Sequence, residues 1–168
     1  SREIGINNKR IAVAGASAGG GLATSISLLA RDLNGPKIVF QMPLYPMIDD
    51  RNATPSSYEI IDKRVWNRDV NIKAWKMYLG HEQNDSVSEY AAPARATDLS
   101  NLPPTYTFVG ELDPFRDETI NYIKRLSQAG VPTEFHLYPG CFHRFEEIVP
   151  HAEISKRAKK SYIQALKR

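Results

Sequence analysis

Short apolar runs alternate with amphipathic segments along the chain, and their order predicts a parallel sheet. Residues 10–14 (RIAVA) and 37–40 (KIVF) have the pattern of buried strands. Apolar residues at helical spacing lie between them over 18–33, and residues 34–36 (NGP) end that helix. These apolar residues are Leu22, Ile26, Leu29, Ala30 and Leu33. Strand, helix and strand with short connections form a βαβ unit, which implies parallel strands with a right-handed crossover.

The same rhythm returns in the second half of the chain. Residues 105–109 (TYTFV) and 133–138 (TEFHLY) are predicted strands, and a helix is predicted over 114–129 between them. A last helix over about 152–167 follows. Its apolar face consists of Ile154, Ala158, Tyr162 and Leu166.

Between these two halves, residues 49–104 are rich in polar and turn residues. An aromatic, helix-like segment over 65–79 interrupts them. We interpret 49–104 as an excursion off the sheet, because it lacks the strand and helix rhythm on either side. Residues 1–168 are therefore predicted to form one α/β unit, a mostly parallel sheet with flanking helices.

Composition excludes several classes of protein. A chain of 168 residues with 42% hydrophobic residues is long and apolar enough to bury a core. Its net charge of +3 is too small to indicate a nucleic-acid partner or an acidic membrane surface. No stretch reaches the roughly 18 consecutive apolar residues of a membrane span. The lone Cys141 and the absence of an apolar leader in residues 1–10 lead us to expect a cytoplasmic location.

One short motif carries the first sign of chemistry. Residues 15–19 (GASAG) match G-x-S-x-G and lie between a predicted strand and a predicted helix. Such a turn lifts Ser17 clear of the sheet and directs the Ala18 N–H toward a developing oxyanion. The alternative is a turn of small residues that serves packing. A phosphate-binding loop does not fit, since the second glycine of G-x-G-x-x-G and the lysine of a P-loop are both missing.

A serine nucleophile requires a histidine base and a carboxylate, and in the arrangement that uses this kind of turn the chain order is serine, then aspartate or glutamate, then histidine. Asp113 follows the strand over 105–109, and His143 follows the strand over 133–138. Both should therefore lie at the same sheet edge as Ser17.

Each partner has an alternative interpretation. Asp113 could be the N-cap of the following helix, and Glu111 and Asp117 are competing carboxylates. The other histidines are interpreted as surface or strand residues, and Cys141 as a small buried residue. Those histidines are His81, His136 and His151.

Several segments together resemble one known family. They are residues 10–20, which end in SAGG, 44–46 (LYP), 103–118, which begin with PP and end in DPFRDE, and 140–145 (GCFHRF). They are similar to the GDSAGG, YP, PP…DPLRDE and G-x-x-HGF segments of the hormone-sensitive-lipase-like branch of the α/β-hydrolases. The resemblance covers nearly the whole chain and corresponds to the C-terminal portion of the family.

The resemblance implies an α/β-hydrolase fold without the family's N-terminal strands and cap. It makes Ser17 the nucleophile, Asp113 the acid and His143 the base, with the Ala18 amide as one oxyanion donor. The implied reaction is the cleavage of small-molecule carboxylic esters with short or medium acyl groups through an acyl-enzyme. No cofactor or metal is expected.

The chain departs from the family pattern at three places. Ala16 stands where the family has an acid, and Arg144 replaces the glycine after the histidine. The HGGG segment, which supplies further oxyanion N–H groups, is not among the 16 residues before Ser17. Because each lost oxyanion donor costs roughly 10²- to 10³-fold in rate, we expect this chain to be a poor catalyst.

Two other functions stay open at this point. One is a non-catalytic or weakly active fragment or binding protein with the same fold, and the other is a peptidase or acyltransferase with the same triad. The missing family strands would leave an exposed sheet edge, which leads us to expect association of two or more copies.

Overall fold

The computed structural model describes residues 7–80 and 86–167, and its centre is a four-stranded sheet with the order β1-β2-β3-β4. The strands are β1 (Ile11–Ala16), β2 (Ile38–Leu44), β3 (Thr105–Leu112) and β4 (Thr133–Phe142). Each neighbouring pair is parallel. The predicted parallel sheet is therefore confirmed, although all four strands continue further toward their carboxyl ends than the apolar runs indicate.

Helices flank the sheet. They are α1 (Ala18–Asp32), α2 (Pro55–Glu59), α3 (Arg68–Leu79), α4 (Arg116–Gln128), α5 (Phe145–Ile148) and α6 (Glu153–Ala165). Tyr106 and Phe108, two residues apart on β3, belong to a core cluster that includes Ala158 of α6. A second cluster joins Leu28 of α1 to Leu126 of α4. Leu166, predicted on the buried face of the last helix, is instead 50% exposed. The core position there belongs to Ala165.

The buried side of helix α1 consists of small residues and Leu28, and most of its large apolar residues are exposed. A Cβ at Gly21 would lie 2.2 Å from the carbonyl oxygen of Met47, so the helix approaches that segment too closely for a larger residue. The hydroxyls of Thr24 and Ser27 are satisfied within the helix by the carbonyls four residues earlier. The helical spacing is thus confirmed and Leu28 lies in the core, but the four large residues of the predicted apolar pattern are exposed. These are Leu22, Ile26, Leu29 and Leu33.

The segment over 49–104 leaves the end of β2 and returns to β3, which pairs directly with β2. It contains α2, α3 and a short 3-10 turn at Pro93–Arg95. Arg95 donates two hydrogen bonds to the buried Asp50, which ties the two ends of the excursion together. Trp75 of α3 is buried against Phe115. His81, which was interpreted as a surface residue, lies outside the described residues.

The two outer strands of the described sheet, β1 and β4, each pair with one neighbour. The outer edge of β1 therefore presents unpaired backbone groups within the part of the chain that the structure describes. None of the helices in that part is long and apolar enough to cross a membrane.

We expect the 168-residue chain to associate through the outer edge of β1 and the exposed apolar residues of α1. Ile26→Glu places a charge among these residues and should weaken association about 10-fold or more, since burying an isoleucine contributes about 1.5–3 kcal/mol. Ile163→Glu on α6 is the matched control, because Ile163 and Ile26 are 45% and 49% exposed. Sedimentation velocity over a concentration series measures the effect. A wild-type chain that stays monomeric at high concentration would contradict the expectation.

Candidate active site

The turn between β1 and α1 holds Ser17 in a strained backbone conformation, with φ 57° and ψ −120°. Residues with side chains rarely adopt this conformation. The Ser17 N–H donates to the Leu44 carbonyl and the Ser17 carbonyl accepts from the Met47 N–H, each at 3.0 Å. A Cβ at Gly15 would lie 2.1 Å from the Gly19 carbonyl oxygen, so the first glycine of the motif is required sterically. The segment after β2 thus fixes the turn from both sides.

The structure brings Ser17, Asp113 and His143 together at the carboxyl edge of the sheet. His143 Nε2 lies 3.0 Å from Ser17 Oγ, and His143 Nδ1 lies 2.7 Å from Asp113 Oδ2. Because a carboxylate can only accept, Nδ1 carries the proton and Nε2 faces the serine hydroxyl as an acceptor. Asp113 is 0% exposed and His143 3% exposed. This arrangement can remove a proton from the serine hydroxyl and stabilise the resulting imidazolium.

Asp113 is not the N-cap of α4, because that position belongs to Phe115, which has no side-chain cap; the Asp113 carboxyl group instead closes a turn just before the helix. Its Oδ1 accepts a hydrogen bond of 2.9 Å from the Phe115 N–H, just before α4 begins. Its Oδ2 faces His143. The turn that starts α4 therefore orients the carboxyl group, and each oxygen has its own partner.

The competing carboxylates are engaged elsewhere. Glu111 is exposed and accepts from the Gly140 N–H at 2.7 Å. Asp117 accepts from the Ser56 N–H at 2.7 Å and pairs with Arg116. Burial alone would raise the pKa of Asp117, but these two donors hold that pKa below its usual value. Neither carboxylate contacts His143.

Three aromatic rings surround the His143 imidazole. The ring centroids of Tyr45 and Phe115 lie 5.0 Å and 5.1 Å from it in edge-on contacts, and that of Trp66 lies at 5.8 Å. They cover the imidazole and exclude water from its faces. Sequence reasoning did not assign these residues a role at the base, although Tyr45 and Phe115 both lie inside family motifs.

A cavity of about 180 Å³ opens beside Ser17. The described residues that line it carry no formal charge, and aromatic and aliphatic side chains dominate. They are Ser17, Ala18, Gly21, Leu22, Met47, Trp66, Ala74, Trp75, Tyr78 and Ala91. The two tryptophans form part of both the core and the cavity wall. The cavity suits an apolar group attached to an atom held at Ser17.

The Ala18 N–H lies at the start of α1, where the first N–H groups have no partner within the helix. A helix N-terminus favours negative charge, so this amide can donate to an oxyanion formed at Ser17. Among the described residues no group of three His, Cys, Asp or Glu side chains is arranged to hold a metal ion.

The chain is similar to several known proteins. Residues 1–147 match the family model described as the alpha/beta hydrolase fold. Esterase LipI of Mycobacterium tuberculosis is 40% identical over 135 residues, which are 80% of this chain and 42% of LipI. A solved bacterial heroin esterase is 46% identical with a TM-score of 0.94, over 98% of this chain and 53% of that chain. The solved esterase LipW from Mycobacterium marinum is 36% identical with a TM-score of 0.86, over 94% of this chain and 49% of the LipW chain.

The relatives named here are described as esterases, and the two solved structures have the same fold as this chain. The chain belongs to the α/β-hydrolase fold family. This confirms the family resemblance drawn from the motifs. The chain spans about half the length of these relatives.

Arg144 offers a test of backbone strain beside the base. Its φ is 61°, a left-handed conformation that favours glycine, and its side chain pairs with Glu147 at the surface. We expect Arg144→Gly to be about 1–2 kcal/mol more stable than Arg144→Ala, because both lose the ion pair and only alanine keeps the strain. Urea unfolding measures the difference. Equal stabilities, or a more stable alanine variant, would contradict it.

Glu118 offers a test through pH. It is fully buried and accepts from the Ile48 and Asp49 N–H groups, and burial raises its pKa well above the usual range. The folded state then keeps a proton that the unfolded state loses near pH 4.3. Unfolding free energy should therefore fall as pH rises from there through the raised pKa.

Glu118→Gln cannot titrate, so the stability of the wild type minus that of this variant should be larger at pH 4 than at pH 8. Urea unfolding of both proteins at the two pH values measures this difference. A difference that does not change with pH would show that Glu118 titrates alike in the folded and unfolded states.

Proposed function

We propose that this chain carries the catalytic residues of an esterase that hydrolyses small-molecule carboxylic esters. Ser17 is the nucleophile, His143 the general base and Asp113 the residue that orients the base. The observation that supports this most strongly is the pair of hydrogen bonds from His143, at 3.0 Å to Ser17 and 2.7 Å to Asp113. The names of the esterase relatives favour ester hydrolysis over a peptidase or acyltransferase reaction.

The reaction follows from the positions of these atoms. As Ser17 Oγ attacks the ester carbonyl, its proton passes to His143 Nε2, and the carbonyl oxygen becomes an oxyanion facing the Ala18 N–H. His143 then gives that proton to the departing alcohol, which leaves an acyl group on Ser17. A water molecule loses a proton to His143 and attacks the acyl-enzyme; His143 then returns that proton to Ser17 Oγ as the bond to the acyl group breaks and the carboxylic acid leaves.

The cavity beside Ser17 supports a short or medium apolar acyl group. It runs from the turn at Ser17 along α1 to the aromatic side chains of α3, and its described lining residues carry no formal charge. An acyl chain placed there would bury apolar surface without leaving a charge unpaired. Trp66 both lines this cavity and contacts His143, so it lies where the acyl group and the departing alcohol meet.

The test is hydrolysis of a chromogenic short-chain ester by the 168-residue chain and by Ser17→Ala. Removing a triad serine costs about 10⁶-fold in rate, and a missing oxyanion donor costs about 10²- to 10³-fold. We therefore expect the wild type to exceed Ser17→Ala by about 10³-fold or more. Ser27→Ala is the matched control, because Ser27 is a buried serine of α1 that hydrogen-bonds only its own helix. Equal turnover by the wild type and Ser17→Ala would contradict the proposal for this chain.

A further inference from the structure

A buried hydrogen bond connects the segment that holds Ser17 to the segment that carries His143. Tyr45 Oη donates to Glu146 Oε1 at 2.7 Å. We propose that Tyr45 and Glu146 are a positioning pair that sets the distance between the Ser17 hydroxyl and the His143 imidazole. This inference rests on the proposed esterase function, and it adds two residues that no motif assigns to the reaction.

The first half of the connection is the backbone around Tyr45. Leu44 and Met47, on either side of it, bind the N–H and the carbonyl of Ser17. The Tyr45 N–H donates to the Phe108 carbonyl of β3 at 2.8 Å. Tyr45 itself has a positive φ of 34°, which residues with side chains adopt at a cost. Any movement of this segment is therefore passed on to the strained turn at Ser17.

The second half is the short helix α5, which follows His143. Glu146 lies three residues after His143, and Arg144 between them has the left-handed conformation described above. Because α5 has only four residues, its own helical hydrogen bonds contribute little to holding it in place. Phe145 packs into the core, and the hydrogen bond from the Tyr45 hydroxyl to Glu146 connects this helix to the end of β2.

The tyrosine ring adds a direct contact. It packs edge-on against His143 and, at 5.3 Å, against Phe108. The hydroxyl at the far end of the same ring binds Glu146. The side chain thus holds the imidazole with its ring and the following helix with its hydroxyl. Asp113 orients the imidazole from the β3 side, and Tyr45 holds it from the β2 side.

The burial of Glu146 is costly for a residue that serves stability alone. It is 2% exposed, and its Oε2 has no hydrogen-bond partner among the described residues. Burial accordingly raises the pKa of this carboxyl group above its usual value. An apolar residue of similar size would avoid the cost of an unsatisfied buried oxygen. A carboxyl group at this buried position is explained by its role as the hydrogen-bond acceptor for the Tyr45 hydroxyl.

The test compares variants that remove the hydrogen bond with one that keeps it. Tyr45→Phe and Glu146→Leu remove it, and a misplacement of about 1 Å can cost about 10²-fold in rate. We expect kcat for a chromogenic ester to fall about 10- to 100-fold in both, with KM within about threefold. Glu146→Gln keeps an oxygen that accepts from Tyr45, so its kcat should stay within about threefold of the wild type.

Tyr106→Phe is the matched control. Tyr106 is 1% exposed, belongs to the same core cluster, and donates its hydroxyl to Ser161 at 2.9 Å, but it does not contact His143. Loss of the Tyr106 hydroxyl should lower the stability of the fold about as much as loss of the Tyr45 hydroxyl, but it should leave kcat within about threefold of the wild type. Equal losses of kcat in Tyr45→Phe and Tyr106→Phe would overturn the proposal, as would an unchanged kcat in Tyr45→Phe.

Hydrogen exchange gives a measurement that does not depend on turnover. The amides of residues 144–149 should exchange faster in Tyr45→Phe and Glu146→Leu than in the wild type. In Tyr106→Phe their exchange rates should equal those of the wild type. Unchanged exchange in the first two variants would overturn the positioning role. If the wild type shows no turnover above Ser17→Ala, the proposed esterase function fails, whereas the exchange rates still decide whether the pair holds this segment.

Discussion

The strained backbone of Ser17 is the constraint on which the rest of the site depends. A conformation of this kind costs about 1–3 kcal/mol and persists only where the surroundings hold it. Two hydrogen bonds to Leu44 and Met47, together with the close approach at Gly15, supply that support. Because β1, β2, β3 and β4 run parallel, the loops at their carboxyl ends meet the same turn. His143 reaches Ser17 from one of these loops, and Asp113 reaches His143 from another.

Most of the sheet and the three polar residues of the site could be predicted from sequence, because their signals are local. Ile11 and Val13 mark a strand, Gly15 marks a turn that a Cβ would block, and Asp113 and His143 each follow an apolar run. Helix α1 shows the limit of such patterns. Its spacing is helical, but close packing at Gly21 selects small residues for much of its inner side, so Leu22 and Leu29 are exposed while Leu28 is buried.

The remaining parts of the site depend on contacts between residues distant in sequence. Tyr45 and Glu146 are 101 residues apart, and nothing in the pattern around either residue indicates the other. Trp66 contacts His143 from the excursion over 49–104, and the composition of that segment does not indicate a part in the site. These contacts arise where the segment after β2 and the segment after β4 cross the end of β3. Their consequence is a base enclosed by aromatic rings and fixed relative to the serine.

The central claim is that Ser17 is a nucleophile activated by His143, and covalent labelling tests it most directly. The chain is incubated with a fluorophosphonate, which reacts with activated serines, and the adduct is located by peptide mass spectrometry. We expect one adduct per chain, on the peptide that contains Ser17, and no adduct in a His143→Ala variant. No adduct, an adduct on another serine, or undiminished labelling in His143→Ala would contradict it.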